Sequence, residues 1–217
     1  MIKLTITTQQ EADVSDEALY AFWQQSFRQW IDYGIDEPSL HQTLDHYKKA
    51  IHDAIVFVAL DKETGELLGT HTFQPKRKKN YVYGCYLAVS PDAKRTGIAT
   101  KMFQFEVEYL RKDGYEYIKE NTSSAAVWSV NWHLKNGFHI IGYCKSPDKP
   151  HSTYIFRKQL QPSFIWSGVF APITAKLHFS ISYIITALCR TSTGELNMLG
   201  RVAKKMYNIL NKVYKRL

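Results

Sequence analysis

The pattern of apolar and polar positions divides the start of the chain into one strand and two helices. Apolar and polar residues alternate over residues 2–8, which predicts a first strand. Ser15 is followed by two acidic residues and is a typical N-cap, so a helix is predicted to begin there. The pattern Ser39-x-x-Gln42 is a capping box and predicts the start of a second helix.

Three strands are predicted to follow these helices. Residues 54–60 and 67–73 predict a hairpin, because the polar turn between them contains glycine. Residues 81–89 are rich in β-forming side chains, and Pro91 has no N–H to offer to a ladder. The third strand is therefore predicted to end at residue 89.

Beyond residue 97 the apolar period becomes that of a helix. The helical spacing continues until Gly114, a residue type that often ends helices. Ser123 or Ser124 is predicted to cap a short helix that runs to Asn136. The remaining predicted strands cover residues 115–121, 138–145 and 152–160.

The segment between the strand 81–89 and the next helix is suited to hold an anion. The first N–H groups of a helix lack partners, and the helix dipole is positive there. Gly97 allows the backbone to approach a ligand closely, and Lys94 and Arg95 add positive charge. We therefore predict that residues 89–100 form a phosphate cradle that fits a pyrophosphate.

The motif Lys94-Arg95-Thr96-Gly97-Ile98-Ala99 is similar to the Arg/Gln-x-x-Gly-x-Gly/Ala signature of the GNAT-type N-acetyltransferases. Lys94 stands where that family usually has Arg or Gln. The resemblance implies that acetyl-coenzyme A is the co-substrate and that backbone amides hold its phosphates. The residues it assigns to cofactor binding are Leu87, Ala88, Val89, Lys94, Arg95, Thr96, Gly97, Ile98, Ala99, Thr100 and Asn131.

The order of predicted elements resembles the same family. It implies an α/β (α+β) GNAT fold, a mixed and mostly antiparallel seven-stranded sheet flanked by helices. In such a fold the strand before the cradle is splayed from the next one, which leaves backbone N–H groups free. We assign residues 1–160 to the acetyltransferase domain and residues 161–217 to a C-terminal helical extension.

A second motif, residues 132–138, resembles the Tyr-x-x-x-Gly-Phe ending of many family members. In those proteins the Tyr hydroxyl lies near the thioester sulfur. Here His133 stands four residues before Gly137. The imidazole either protonates the leaving thiolate, directly or through water, or only forms a hydrogen bond on the helix face.

The chemistry that the resemblance implies is direct attack of an amine on the acetyl thioester, which needs a base. Glu120 lies on the strand opposite the splay and is the candidate base, with a surface position at a strand end as the alternative. Tyr83 and Tyr86 either line the acceptor pocket or fill the core. Cys85 is either a thiol nucleophile or, more commonly for such a residue, a small core side chain.

Charge is distributed unevenly along the 217 residues. The formal net charge is +8, yet residues 161–217 hold eight Lys or Arg against the single acid Glu195. The three cysteines form no C-x-x-C pair, and no leading segment resembles a signal peptide. A reduced, cytoplasmic setting without a metal site is therefore the expectation.

The extension 161–217 ends in a predicted basic amphipathic helix after the capping-box pattern Ser192-x-x-Glu195. Three roles compete for it. It packs on the catalytic domain or on a sister subunit in a homodimer, it lies on an anionic membrane surface, or it binds nucleic acid. Packing is favoured, and nucleic acid ranks last because no known binding module is present.

The function hypothesis from sequence is an N-acetyltransferase that acts on a small-molecule or peptide primary amine. The alternative is a degenerate member that binds coenzyme A or a partner without catalysis. Lys94 and His133, which depart from the family pattern, motivate that alternative. The acceptor itself is not identified by any motif.

Overall fold

The structure is a computed structural model that describes residues 3–36, 38–145 and 151–161. Five α-helices and seven strands lie along these residues. The helices are α1 (Gln9–Ala12), α2 (Asp16–Asp32), α3 (Leu44–Ile51), α4 (Ile98–Lys112) and α5 (Val127–Lys135). The strands are β1 (Leu4–Thr8), β2 (Ile55–Asp61), β3 (Leu67–Lys76), β4 (Tyr81–Val89), β5 (Tyr117–Ser123), β6 (His139–Lys145) and β7 (Ser152–Gln159).

All seven strands join one sheet in the order β1-β2-β3-β4-β5-β7-β6. Neighbouring strands are antiparallel except β4 and β5, which run parallel and are connected through α4. The sheet is therefore mixed and mostly antiparallel. The predicted fold class is confirmed, and β4 has the predicted bounds.

Two predicted helix caps are wrong, because each helix begins after a different residue. The second predicted helix, α3, begins after Thr43, whose hydroxyl accepts a hydrogen bond from the His46 N–H, whereas residue 39 lies in the short 3-10 turn Pro38–His41. Helix α5 begins after Ala126, and neither Ser123 nor Ser124 caps it. The Ser123 hydroxyl instead accepts from the N–H of Ala125, within the turn before the helix. Ser15 caps α2 as predicted.

Helices cover both faces of the sheet, so the fold has three layers. One core cluster joins α2 and α3 to the sheet and consists of Leu19, Trp23, Leu40, Tyr47, Ile51, Val56, Val58 and Ala88. Another core cluster lies under α4 and includes Phe57, Phe73, Val82, Phe103, Leu110, Ile118, Phe138 and Phe156. Gly69 of β3 lets α4 approach closely, since a Cβ there would lie 2.6 Å from the Met102 Sδ.

The predicted C-terminal extension lies outside the described residues apart from position 161. Its packing, membrane and nucleic-acid interpretations therefore remain predictions. Within the ranges that the structure describes, no helix has the length and apolarity needed to cross a membrane.

Candidate active site

Strands β4 and β5 separate after a short parallel ladder. They pair over three residue pairs, from Tyr81↔Tyr117 to Tyr83↔Lys119. Beyond that point β4 continues along β3 to Val89, and β5 continues along β7. Across the described residues, the facing edges of 84–89 and 120–123 lack a strand partner. This gap is the predicted splay.

A β-bulge in β4 accounts for the divergence. Thr70 pairs with Ala88 but Thr72 pairs with Cys85, so His71 lies opposite both Tyr86 and Leu87. An extra residue in one strand bends that strand and increases its local twist. The bulge turns the end of β4 away from β5.

Tyr86 occupies the bulge with a left-handed backbone conformation, φ +54°. This conformation costs free energy for a residue with a bulky side chain. Tertiary contacts hold it in place, since the Tyr86 hydroxyl donates to Gln42 Oε1 at 3.1 Å and the ring packs edge-on against Trp23 at 5.4 Å. The bulge is thereby fixed to α2 and to the segment before α3.

A cavity of about 400 Å³ opens at the splay. Side chains of α2, β4, β5 and α5 surround it. Its lining residues are Trp23, Phe27, Trp30, Leu40, Tyr83, Gly84, Cys85, Tyr86, Leu87, Glu120, Asn121, Thr122, Ser123, Ser129, His133 and Thr153. Of the predicted site residues, the structure brings Leu87, Glu120 and His133 together here.

The predicted phosphate cradle lies at the start of α4. Gly97 is the N-cap in a left-handed conformation, φ +86°, and makes no side-chain cap. A Cβ at this position would meet nothing within 4 Å, so the space in front of the helix is open. The N–H groups of Ile98, Ala99 and Thr100 precede the first intrahelical bond, which Lys101 donates to the Gly97 carbonyl. These amides can hold an anion.

Three side chains of the cradle are engaged elsewhere. The Lys94 ammonium donates to Gln29 Oε1 of α2 at 2.6 Å. The Thr96 hydroxyl donates to the Ala93 carbonyl, and the Ile98 side chain is buried in the core. In this arrangement the backbone amides of the cradle, rather than these side chains, face the open space. Asn131 is exposed on α5 and is not among the cavity lining residues.

Glu120 and His133 form a buried pair at the cavity wall. His133 Nε2 lies 2.9 Å from Glu120 Oε2, and His133 Nδ1 lies 2.7 Å from the Ser129 carbonyl oxygen. A carbonyl only accepts, so Nδ1 carries a proton and donates to it. A second proton must then lie between Nε2 and the carboxyl group. Glu120 Oε1 is buried and has no hydrogen-bond partner among the described residues.

A second buried pair lies behind Glu120. His71 Nδ1 is 2.9 Å from Glu106 Oε2, and both side chains are fully buried. The other ring nitrogen, His71 Nε2, faces Glu120 Oε1 at 3.7 Å. Two carboxyl groups and two imidazoles thus alternate from α4 through the sheet to the cavity, in the order Glu106, His71, Glu120 and His133.

The two groups of the rear pair both have raised pKa values. Burial alone would lower the pKa of His71, but the carboxylates of Glu106 and Glu120 raise it above its usual value. Burial raises the pKa of Glu106. The folded protein therefore binds protons at this pair more tightly than the unfolded chain does.

This proton binding predicts a pH-dependent contribution to stability. A folded state that binds more protons than the unfolded chain loses free energy of unfolding as the pH rises. The contribution of the pair is therefore full at low pH. It is lost first above about pH 4.5, through Glu106, and then above about pH 6.5, through His71. The double variant His71→Gln/Glu106→Gln lacks both groups. Urea unfolding should show that the wild type's stability relative to this variant declines as the pH rises above about 4.5 and declines further above about 6.5. A difference that stays constant or grows with pH would contradict the assignment.

Gly84 of β4 makes room for the Glu120 side chain. A Cβ at position 84 would lie 2.7 Å from both Cγ and Oε1 of Glu120 and 2.8 Å from its Cδ. No real side chain tolerates such a distance, so one of the two must move. The glycine is therefore a condition for the buried carboxylate.

We expect Gly84→Ala to displace the carboxylate from His133 and, if Glu120 is the base that the sequence predicts for acetyl transfer, to lower kcat/KM for that reaction by roughly tenfold or more. A double-mutant cycle with Glu120→Gln tests this, because the two changes act on the same group and should not add. Adding Gly84→Ala to Glu120→Gln should cost little further activity. If Gly84→Ala costs the same factor in both backgrounds, its effect does not pass through Glu120.

Cys85 and Tyr83 also line the cavity. Burial raises the pKa of the Cys85 thiol to about 12, so it stays protonated at neutral pH and is a poor nucleophile. Burial likewise raises the pKa of Tyr83, whose hydroxyl is hydrogen-bonded to Asn121. Neither group is ionised near neutrality. Among the described residues no group of three or more His, Cys, Asp and Glu is arranged to hold a metal ion.

Sequence reasoning missed His71, Glu106 and Gly84. A signal was present for one of them, because Glu106 falls on the apolar face of α4 beside Met102, Phe103, Val107 and Leu110, where a lone acid is costly. His71 lies in an otherwise apolar strand segment, and this alone does not distinguish a core histidine from a functional one. Glu120 was predicted, and it is buried at the cavity rather than exposed at a strand end.

Comparison with known proteins identifies relatives of this arrangement. Residues 17–138 match the model of the acetyltransferase (GNAT) family. The S-(2-succino)cysteine N-acetyltransferase of Bacillus subtilis (strain 168) is 27% identical over 135 residues, which cover 59% of this chain and 80% of that protein.

Solved structures share the fold. The ribosomal-protein-S18-alanine N-acetyltransferase from Escherichia coli superposes with a TM-score of 0.58 at 13% identity, over 74% of this chain and 96% of the other. An N-acetyltransferase from Staphylococcus aureus Mu50 gives a TM-score of 0.54 at 20% identity, over 73% of this chain and 99% of the other. At these identities the likeness concerns the fold alone.

Proposed function

The chain belongs to the acetyltransferase (GNAT) family, and on that premise we propose that it transfers the acetyl group of acetyl-coenzyme A to a primary amine by direct attack. The observation that carries the proposal is the carboxyl group of Glu120 at a cavity between two splayed strands, where its buried Oε1 has no hydrogen-bond partner among the described residues. The phosphate cradle lies at the end of one of those strands. A base and a cofactor site thus adjoin each other.

The residues of the cradle fit the co-substrate. The free amides at the start of α4, together with Gly97, suit its pyrophosphate, and Lys94 and Arg95 add charge nearby. The unpaired backbone edge at residues 87–89 suits the pantetheine arm and the acetyl oxygen. Acetyl-coenzyme A supplies an acetyl thioester, whose thiolate is a tolerable leaving group. Asn131 of α5 is a further proposed contact of the pantetheine arm.

Glu120 is the proposed general base. An amine enters as an ammonium ion and must lose a proton before its nitrogen can attack. Glu120 Oε1 accepts that proton, and the nitrogen then forms a bond to the acetyl carbon. The bond from that carbon to sulfur breaks, and the second proton leaves the nitrogen for the departing thiolate, so that the products are the neutral amide and free coenzyme A. The cavity removes the reactants from bulk water, which strengthens the interaction between the ammonium ion and the carboxylate.

His133 is proposed as the positioning partner of Glu120 rather than as an acid toward the thiolate. Both of its ring nitrogens have partners, the Ser129 carbonyl and Glu120 Oε2. The proton between His133 and Glu120 fixes the orientation of the carboxyl group and leaves Oε1 without a hydrogen-bond partner among the described residues. No separate acid is needed for a thiolate leaving group.

His71 is proposed as a second positioning residue. Its raised pKa favours an imidazolium 3.7 Å from Glu120 Oε1. A carboxylate that loses a cationic neighbour is protonated more readily. We therefore expect His71→Gln to move the ascending limb of the kcat/KM–pH profile to higher pH. The exposed His52→Gln serves as the control and should leave the limb in place. A uniform loss of activity without a shift would indicate a purely structural role.

The experiment that tests the function has two stages. Isothermal titration measures binding of acetyl-coenzyme A, and thiol release then measures turnover over a panel of amines. Binding with amine-dependent thiol release supports the proposal. Binding without turnover on any amine supports a non-catalytic coenzyme A-binding member, which the departures at Lys94 and His133 motivate. Absence of binding would contradict both.

The domain boundary and the partners also remain proposals. The last strand of the sheet ends at Gln159, and the Leu160 N–H donates to the Glu116 carbonyl at 2.8 Å, which supports a domain that ends near residue 160. For the extension 161–217 we keep packing, including homodimer formation, ahead of an anionic membrane. Co-sedimentation of the full chain with neutral and with anionic vesicles distinguishes these roles, because only membrane binding makes the pelleted fraction depend on lipid charge.

A further inference from the structure

The chemistry of the cavity wall restricts the amine that fits it, if the proposed acetyl transfer holds. Trp23, Phe27, Trp30 and Leu40 form the wall on the helical side, and Tyr83 and Tyr86 contribute from β4. The described lining includes one carboxyl group, Glu120, and no Lys or Arg. The cavity therefore combines apolar and aromatic surface with a single acidic group.

The aromatic surface continues from the cavity to the exterior. Trp30 packs on Phe27 at 5.0 Å and meets Trp128 of α5 edge-on at 5.8 Å. Trp128 in turn lies 5.1 Å from Tyr33, and these two side chains are 46% and 66% exposed. We call Trp30, Tyr33 and Trp128 the aromatic rim.

A hydrogen bond between residues far apart in the sequence holds the aromatic rim beside the cavity. His151 Nε2 lies 3.1 Å from the carbonyl oxygen of Gly34, so the start of β7 is joined to the turn after α2. Gly34 follows Tyr33 directly in that turn. The rim thus has a defined position beside the cavity. Exposed aromatic groups that adjoin a cavity mark ligand-binding surfaces more often than isolated ones do.

Charge determines which amines suit this surface. A carboxylate on the acceptor would lose its hydration in the cavity, and the described lining offers it no Lys or Arg to pair with. Lys94 does not supply that cation, because its ammonium is bonded to Gln29. An ammonium ion is favoured by Glu120 and by the faces of the aromatic rings.

We propose that the acceptor is a primary amine on an aromatic or other bulky apolar body that carries no acidic group. Its amino group lies at Glu120 and its apolar body lies along Trp30 toward the aromatic rim. This class differs from S-(2-succino)cysteine, the compound in the name of the Bacillus subtilis relative, which bears several carboxylates. The substrate of that relative is therefore not expected to be the substrate of this chain.

Matched amines test the proposal on the full-length protein. 2-Phenylethylamine and L-phenylalanine share a skeleton and differ by one carboxylate, and propylamine lacks the ring. We expect kcat/KM for 2-phenylethylamine to exceed that for L-phenylalanine by roughly 100-fold and that for propylamine by roughly tenfold. S-(2-succino)cysteine should be acetylated no better than L-phenylalanine.

Variants of the rim separate its contribution from that of the fold. Trp128→Ala changes a half-exposed side chain and should reduce the preference for 2-phenylethylamine over propylamine severalfold, mainly through KM. Leu134→Ala, at an exposed position further along α5, should leave that preference unchanged. Trp30→Ala should act in the same direction as Trp128→Ala.

The outcomes distinguish this inference from the function on which it rests. If no amine is acetylated, the proposed function fails. If acetylation occurs but L-phenylalanine or S-(2-succino)cysteine is used as well as 2-phenylethylamine, the function holds and the inference on the acceptor is overturned. A preference that survives both Trp128→Ala and Trp30→Ala would likewise overturn the role of the rim.

Discussion

Replacing Glu120 with glutamine is expected to lower kcat/KM for acetyl transfer by roughly 100-fold to 10,000-fold, the range typical of a lost general base. The substitution keeps the size of the side chain and its place beside Gly84, but an amide cannot take a proton from an ammonium ion. Binding of acetyl-coenzyme A should change little, because the cradle is formed by the start of α4.

The matched control for this variant is Glu108→Gln, an exposed acid on α4. It makes the same chemical change on the surface and should retain full activity. Steady-state kinetics over a range of pH, with thermal unfolding to verify the fold, provides the measurement. Near-normal activity of a well-folded Glu120→Gln protein would show that another group accepts the proton.

The substitution Gly97→Val is expected to weaken binding of coenzyme A by at least roughly tenfold. Nothing lies within 4 Å of a Cβ at this position, so a side chain there would occupy the space in front of the free amides of α4. A branched residue also resists the left-handed conformation that Gly97 adopts, φ +86°. Both effects act at the proposed phosphate site.

The hairpin turn provides a control with the same backbone strain. Gly65 has φ +74° and nothing within 4 Å of its Cβ position, and it lies in the turn between β2 and β3. Gly65→Val should lose a similar amount of stability, about 1–2 kcal/mol, without loss of affinity. Isothermal titration with coenzyme A compares the two variants. Equal affinity of the two variants for coenzyme A would show that its phosphates do not bind at the start of α4.

Local chemistry made much of the fold predictable. The bounds of β4 followed from its β-forming residues and from Pro91, and α4 followed from a helical apolar period between Gly97 and Gly114. The first residue of a helix was harder to predict. Ser39 and Thr43 both carry a hydroxyl group and both precede the apolar positions of α3 by a number of residues that suits an N-cap. Only the tertiary path of the chain selects Thr43 as the cap of α3.

The site was only partly predictable, since its main features depend on tertiary packing. The bulge at Tyr86 requires a positive φ. The sequence does not indicate it, because the residue at that position is neither glycine nor asparagine. The buried line from Glu106 through His71 to Glu120 joins α4, β3 and β5, which are far apart in sequence. Glu120 and His133 were each found separately, but their direct contact was not.

The most direct test of the account measures the acetyl group itself. Mass spectrometry follows the N-acetylated product and the intact protein while thiol release is measured, with acetyl-coenzyme A alone and then with 2-phenylethylamine. The account predicts one amide formed for each thiol released and an unmodified protein in acetyl-coenzyme A alone, because Cys85 stays protonated and the amine attacks directly. Acetylated protein that passes its acetyl group to the amine, or thiol release without any amide, would contradict it.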